Sequence, residues 1–279
     1  MRAAFKTTPQ NTTWPAMLEV WRAADGIEVF ESGWTSDHFY PMHGADPSGP
    51  RLEGWTTLAA LAQATRRLRL GVLVTGIHYR HPAVLANMAA ALDIVSGGRL
   101  ELGIGAGWNE LESRAYGIEL GTPGQRSDRF EEACQVLTRL LSPQETTTFT
   151  GGYYGLRGAR CNPKPVQRPY PPICVGGSGE KRTLRTAARF AQHWNFTGGT
   201  PGEFSRAREV LHQHCADIGR DPAQILLSAQ VPFTGDPAQT TAAAAALGAA
   251  GAGLVIVYLP PPHTPAVLGP LASALSELS

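Results

Sequence analysis

Short β-branched runs alternate with longer helical patterns eight times along the chain, and this alternation constrains the fold more than any other feature. Strand-like runs lie at residues 2–7, 32–36, 68–75, 100–105, 172–175, 193–196, 225–231 and 254–259. Helical patterns follow at 14–29, 53–66, 82–96, 125–142, 180–192, 201–218, 237–247 and 265–278. Thr13 and Pro15 open the first helix as cap and first-turn proline, and Gly97-Gly98 stops the third. Eight consecutive βα pairs in 279 residues predict a single domain, 1–279, folded as a closed (β/α)8 TIM barrel rather than an open doubly wound sheet. Residues 146–154, bridged by Gly151-Gly152, predict a small hairpin inserted between units four and five.

Charge then narrows the partners. With 24 Lys+Arg against 23 Asp+Glu and no basic run, neither nucleic acid nor an anionic membrane is expected. Residues 242–259 contain no charge over 18 positions, a length at which a membrane span must be considered. The Ala-rich start and the glycines at 248, 251 and 253 instead predict a helix, a turn and a buried strand. Cys134, Cys161, Cys174 and Cys215 form no C-x-x-C pair, which argues against a zinc site and suits reduced thiols. The first residues lack the apolar core of a signal peptide, so a cytoplasmic location is expected.

A barrel carries its chemistry at the carboxyl ends of its strands. After the second strand, Ser36-Asp37-His38-Phe39 offers His38 for proton exchange near neutral pH, with Asp37 binding or orienting. The bland alternative is a loop pair in which Asp37 caps backbone groups. After the third, Gly76-Ile77-His78-Tyr79-Arg80-His81-Pro82 holds two histidines but no cysteine or carboxylate to complete a metal site, and none is expected. After the fourth, Gly103-Ile104-Gly105-Ala106-Gly107-Trp108-Asn109-Glu110 fails the dinucleotide fingerprint, because Trp108 occupies the place of its third glycine. It reads either as a turn at a crowded corner or as a loop that lets a flat ligand approach, with Asn109 as a hydrogen-bond donor. After the fifth, Gly176-Gly177-Ser178-Gly179-Glu180-Lys181-Arg182 runs into a helix whose free N–H groups favour a phosphate, with Lys181, Arg182 and Arg185 adding charge. Thr197-Gly198-Gly199 after the sixth strand joins the same pocket. Together these loops call for a planar ring with a phosphate, a flavin-type cofactor across the barrel mouth.

Several of these stretches, taken in order, resemble the luciferase-like flavin-dependent oxidoreductases, and within them the branch that uses the deazaflavin coenzyme F420. They are Ser36-Asp37-His38-Phe39, residues 76–82, the Asp-Ile-Val-Ser-Gly-Gly-Arg of 93–99, residues 103–110 and the Cys-Asn-Pro-Lys-Pro-Val-Gln of 161–167. The resemblance implies a (β/α)8 barrel with F420 at the strand carboxyl ends, Asp37 against the deazaflavin ring and His38 as proton donor or acceptor. It places a non-prolyl cis peptide at Gly76-Ile77. Gly105, Ala106, Asn109, Gly176, Gly177, Gly179, Glu180 and Thr197 complete the implied cofactor contacts. Trp34, His78, Tyr79 and Trp108 are candidates for the substrate pocket. Ala106 stands where sugar-phosphate dehydrogenases of the family carry a catalytic Glu, so a sugar phosphate is not the expected substrate. An open pocket without a long lid is expected.

The leading expectation is therefore an F420-dependent oxidoreductase moving a hydride to or from a small organic substrate, in a possible homodimer. The alternative is an FMN-dependent monooxygenase on the same fold; a non-catalytic flavin-binding protein is the third reading.

Overall fold

The computed structural model describes residues 1–42 and 46–278. Eight parallel strand positions close into a ring. In ring order they are β1 (Arg2–Thr7), β2 (Phe30–Thr35), β3 (Arg69–Val72) continued by β4 (Thr75–Gly76), β5 (Leu100–Gly105), β8 (Ile173–Gly176), β9 (His193–Phe196), β10 (Leu226–Pro232) and β11 (Leu254–Leu259). Pairing of β1 with both β2 and β11 shuts the barrel. The third strand departs from the expected unbroken run at 68–75. Leu73 N–H still donates to Thr35 in β2 at 2.9 Å, whereas Thr75 and Gly76 pair with Ile104 and Gly105 in β5, so the strand changes neighbour midway.

Helices α1 (Trp14–Asp25), α2 (Gly54–Ala64), α3 (Pro82–Val95), α5 (Pro123–Leu141), α6 (Thr183–Phe190), α7 (Pro201–Asp217), α8 (Pro237–Ala249) and α9 (Leu268–Ser276) form the outer layer. Most start from a side-chain cap followed by proline: Thr122-Pro123 and Thr200-Pro201 make full capping boxes with Gln125 and Glu203, and Asp236-Pro237 opens α8. A short helix, α4 (Glu110–Ala115), follows β5 and was not foreshadowed by any periodicity. The uncharged 242–259 run divides between α8 and β11, and among the described residues no helix is long and apolar enough to cross a membrane. The inserted hairpin is β6 (Thr147–Thr150) with β7 (Gly155–Ala159), longer than expected. Its turn extends to Tyr154 because the Glu132 carboxylate accepts from the N–H groups of Gly152, Tyr153 and Tyr154.

Outward-facing strand residues such as Phe5 and Phe30 pack with Trp21 beneath the helices. The interior is different. A small apolar cluster around Ala4, Trp34, Leu73 and Ile256 shares the barrel with a column of polar side chains. From one end, Arg69 Nε donates to Glu101 Oε1 at 2.8 Å, and His193 bridges Glu101 Oε2 at 2.8 Å to Ser228 Oγ at 2.6 Å. Asn195 Nδ2 donates to Ser228 Oγ at 2.8 Å, Gln230 Nε2 to Asn195 Oδ1 at 2.8 Å, and Lys6 Nζ to Gln230 Oε1 at 3.1 Å. Each member of this column thus finds a hydrogen-bond partner in the next, as buried polar groups require.

Candidate functional site at the barrel mouth

A cavity of about 780 Å³ opens at the carboxyl ends of the strands. All eight strand positions reach it: Lys6 and Thr8 from β1, His38 after β2, Val74 and Gly76 with His78 and Tyr79 from the third, Gly105 to Trp108 after β5, Gly176 to Gly179 after β8, Asn195 and Thr197 from β9, Gln230 from β10 and Tyr258 from β11. That size and mixed lining suit a cofactor together with a small substrate.

His38 is held from behind. Its Nδ1 lies 2.8 Å from Glu112 Oε2 and 3.2 Å from the Tyr79 hydroxyl, and that hydroxyl donates a short hydrogen bond to the same carboxylate. Glu112 also accepts from the N–H groups of Phe39 and Tyr40. Burial works against its charge, but the bonds from His38, Tyr79 and Phe39 hold the carboxyl down to about 2. The same burial and the Glu112 carboxylate push the Tyr79 hydroxyl well above its usual range, which keeps it a donor. With Nδ1 bound to a carboxylate, Nε2 is the ring nitrogen left for a group in the cavity. Glu112 escaped the sequence reading entirely. It sits in a six-residue helix, and its one legible signal is Asn109, whose side chain accepts from Glu112 N–H at 3.1 Å as a helix cap.

The loop carrying His38 is clamped by two guanidinium groups. Arg51 donates to the carbonyls of His38 (2.6 Å) and Tyr40 (3.1 Å), to Ser36 Oγ (2.8 Å) and to Gln10 Oε1 (2.6 Å). Arg80 pairs with Asp37, with one contact of 3.0 Å, and with Glu53 Oε1 at 2.8 Å.

Several expected contacts fall elsewhere. Asp37 does not line the cavity: its carboxylate turns back into the protein onto Arg80, and burial raises its pKa despite that partner. Trp34 is enclosed in the barrel interior one layer below, with Nε1 on Ser32 Oγ at 3.1 Å and its ring edge-on to His193. Gly71 gives it room, since a Cβ there would come within 2.5 Å of the indole. Ile77 is packed into the outer core, and the non-prolyl cis peptide lies at Leu73–Val74, not at Gly76-Ile77. Asn109 caps α4 instead of facing the cavity, and Glu180 pairs with Arg206 outside it. Arg182 and Arg185 are occupied by Asp128 and Glu131 of α5, so neither adds free charge to the glycine loop. His38, Gly76, His78, Tyr79, Gly105, Ala106, Trp108, Gly176, Gly177, Gly179 and Thr197 all line the cavity. Lys6 and Gln230, which sequence reasoning passed over, line it as well.

The residues present fit a planar ring with a phosphate. Gly177 N–H donates to Asn195 O at 3.1 Å and its carbonyl accepts from Trp194 Nε1 at 2.8 Å, which anchors the loop to β9. No side chain caps α6; Leu184 N–H turns back onto the Gly179 carbonyl at 3.1 Å, and the other N–H groups at this helix start and in the loop ahead of it are the ones that suit an anion. A Cβ on Gly179 would approach Thr183 Oγ1 to 2.9 Å, and Gly177 (φ +118°) and Gly198 (φ +136°) adopt left-handed backbone that side chains disfavour. Across the cavity Val74 lies against Gly105 and Gly176, where a Cβ would meet its methyl groups at 2.8 Å; the three make an apolar shelf.

Acid should loosen the barrel in two stages. Burial, reinforced by Arg129, lowers the His78 pKa to about 4 from 6.5, so the stability it lends is complete above about 6.5 and is lost as pH falls toward 4. Glu112 and Glu101, both held near 2 against a usual 4.5, add a second loss as pH falls below about 4.5. Melting temperatures between pH 3 and 8 should fall in that order, and His78→Leu should remove the upper stage; an unchanged upper stage in that variant refutes the assignment.

The family model for luciferase-like monooxygenases matches residues 2–279. A phthiodiolone/phenolphthiodiolone dimycocerosates ketoreductase from Mycobacterium kansasii is 37% identical over 180 residues, covering 63% of this chain and 48% of the relative. The chain thus spans about half the length of the curated relatives it matches. Among solved structures, an F420-dependent secondary alcohol dehydrogenase in complex with an F420-acetone adduct superposes with a TM-score of 0.84 at 17% identity, covering 98% of each chain. A monooxygenase from Streptomyces bottropensis gives 0.81 at 19% identity, covering 100% of this chain and 99% of the other. These two likenesses speak to the barrel, whereas the family match runs through nearly every residue, and on that match the chain belongs to the luciferase-like monooxygenase family.

Proposed function

We propose that the chain is an F420-dependent oxidoreductase that moves a hydride between the deazaflavin and the carbon of a small carbonyl or alcohol substrate. The observation that carries this reading is His38 at the cavity wall, with Nδ1 fixed by Glu112 and Nε2 left for the substrate oxygen. The bound cofactor would supply or accept the hydride. The chain's own residues do the rest. In reduction, Nε2–H gives its proton to the carbonyl oxygen as the hydride reaches the carbon; in oxidation, neutral Nε2 takes the hydroxyl proton. The Glu112 carboxylate compensates the positive charge whenever the ring is doubly protonated, and Tyr79 fixes that carboxylate. Among the residues lining the cavity, Ser178 and Gly179 would hold the phosphate, Val74 and Gly105 would support the ring, and Trp108 and His78 would border the space left for substrate. Two relatives bear names consistent with carbonyl–alcohol chemistry, a ketoreductase and a secondary alcohol dehydrogenase.

FMN remains the second reading, favoured by one observation. With Arg182 and Arg185 already paired, those two guanidiniums do not select the longer acidic tail of F420. Parallel titration of the purified protein with F420 and FMN decides between them. We expect F420 to bind, and Gly179→Val to weaken it by about tenfold or more, because the new side chain crowds Thr183 and covers the amides. Tight FMN binding with none of F420 rejects the F420 assignment.

A further inference from the structure

Lys6 puts a positive charge into the cavity that no carboxylate answers. Its ammonium contacts the neutral Gln230 Oε1 at 3.1 Å and lies about 6.0 Å from the Tyr258 ring centre, and no ion pair to it exists among the described residues. The column below explains why. Gln230 Nε2 donates to Asn195 Oδ1, which orients its carbonyl oxygen, and not a charge, toward Lys6. Burial, with repulsion from Arg51, lowers the Lys6 pKa to about 8. An ammonium kept partly desolvated beside another cation is costly unless an anion arrives.

The anion that fits is not the cofactor phosphate. In the ring order, β1 stands four strands from β8 in either direction, so Lys6 faces the glycine loop from across the barrel. It lies on the His38 side, since Gln10, three residues after the end of β1, shares Arg51 with the His38 carbonyl. The donors are few and specific. Lys6 keeps two ammonium hydrogens after bonding Gln230, and the Thr8 and Tyr258 hydroxyls, 3.3 Å apart, share one hydrogen bond and leave a second O–H free. Arg51 is already engaged by five oxygens and contributes no fork. One point charge and one hydroxyl donor match a monoanion with two oxygens better than a dianionic phosphate.

We propose that Lys6, Thr8 and Tyr258 form a carboxylate-recognition corner, so that the substrate reduced or oxidised beside His38 is an oxo acid or hydroxy acid. This assignment rests on the oxidoreductase reading for the chemistry, but its test does not. Calorimetric titration of the protein, with and without F420, compares 4-oxopentanoate with its methyl ester, which keeps the carbon skeleton and loses the charge. Wild type is expected to bind the oxo acid at least about tenfold more tightly. Lys6→Met should abolish that preference while leaving the ester unchanged, and Tyr258→Phe, which preserves the ring, should weaken the oxo acid about threefold. Equal binding of acid and ester by wild type, or an undiminished preference in Lys6→Met, overturns the proposal. Loss of F420 affinity in Lys6→Met, with oxo-acid binding intact, assigns the charge to the cofactor and overturns it too. Failure of F420 to bind at all, with the acid preference present, rejects the cofactor reading and leaves the corner standing.

Discussion

Replacing His38 with alanine is expected to lower hydride-transfer turnover by about 10²–10⁴-fold, the usual contribution of a positioned acid–base group. Cofactor affinity should change little, because the phosphate loop lies at β8, away from the His38 loop. Folding should also survive, since Glu112 keeps its bonds from Phe39, Tyr40 and Tyr79 when the imidazole is gone. Single-turnover measurements with reduced F420 and a ketone, across pH, read the proton step directly. A rate and pH profile matching wild type would remove His38 from the chemistry.

Loss of Glu112 should be felt in stability as well as in rate. Its carboxylate is fully buried and gathers the His38 ring, the Tyr79 hydroxyl and two backbone N–H groups. Glu112→Ala strands those donors without an acceptor and opens a void, for an expected cost of about 3 kcal/mol. Glu112→Gln keeps the volume and one carbonyl oxygen, so it should recover part of that stability. It should not recover turnover, because a neutral amide cannot compensate an imidazolium. Urea unfolding of the three proteins measures the first effect, and single-turnover rates measure the second. A Glu112→Ala protein within about 0.5 kcal/mol of wild type, the range of ordinary surface changes, contradicts the role given to this carboxylate.

The barrel was legible because each of its features is local. Apolar runs at 68–75 and 254–259, helix caps followed by proline, and glycine loops after the strands all announce themselves within a few residues. What the loops place together was harder to see. His38 and the glycines at 105, 176 and 179 are marked by type and position, and they do line one cavity. Glu112 carries no such mark, because six residues of α4 are too few to show a period. Trp34 and Asp37 were misplaced for a geometric reason. Strand alternation says which face a residue takes, not which layer, and Trp34 points inward one layer too low. Asp37 neighbours His38 in sequence, yet its side chain departs toward Arg80. Lys6 did offer a signal that went unused: a lysine directly after the apolar Ala3-Ala4-Phe5 of β1, whose alternation turns it inward at the mouth.

The interior column also bears on how this barrel can change. Barrels of this type are commonly filled by layers of branched aliphatic side chains, which tolerate piecemeal exchange as long as volume is kept. Here Arg69, Glu101, His193, Ser228, Asn195 and Gln230 are each satisfied by the next, so trimming one member leaves its neighbour without that partner. A designer who wants a deeper pocket for bulkier molecules must therefore replace the whole stack together, whereas rim positions outside the His38–Glu112–Tyr79 network can be varied one at a time. Substrate range in this scaffold should drift sideways across the opening far more readily than it drifts downward.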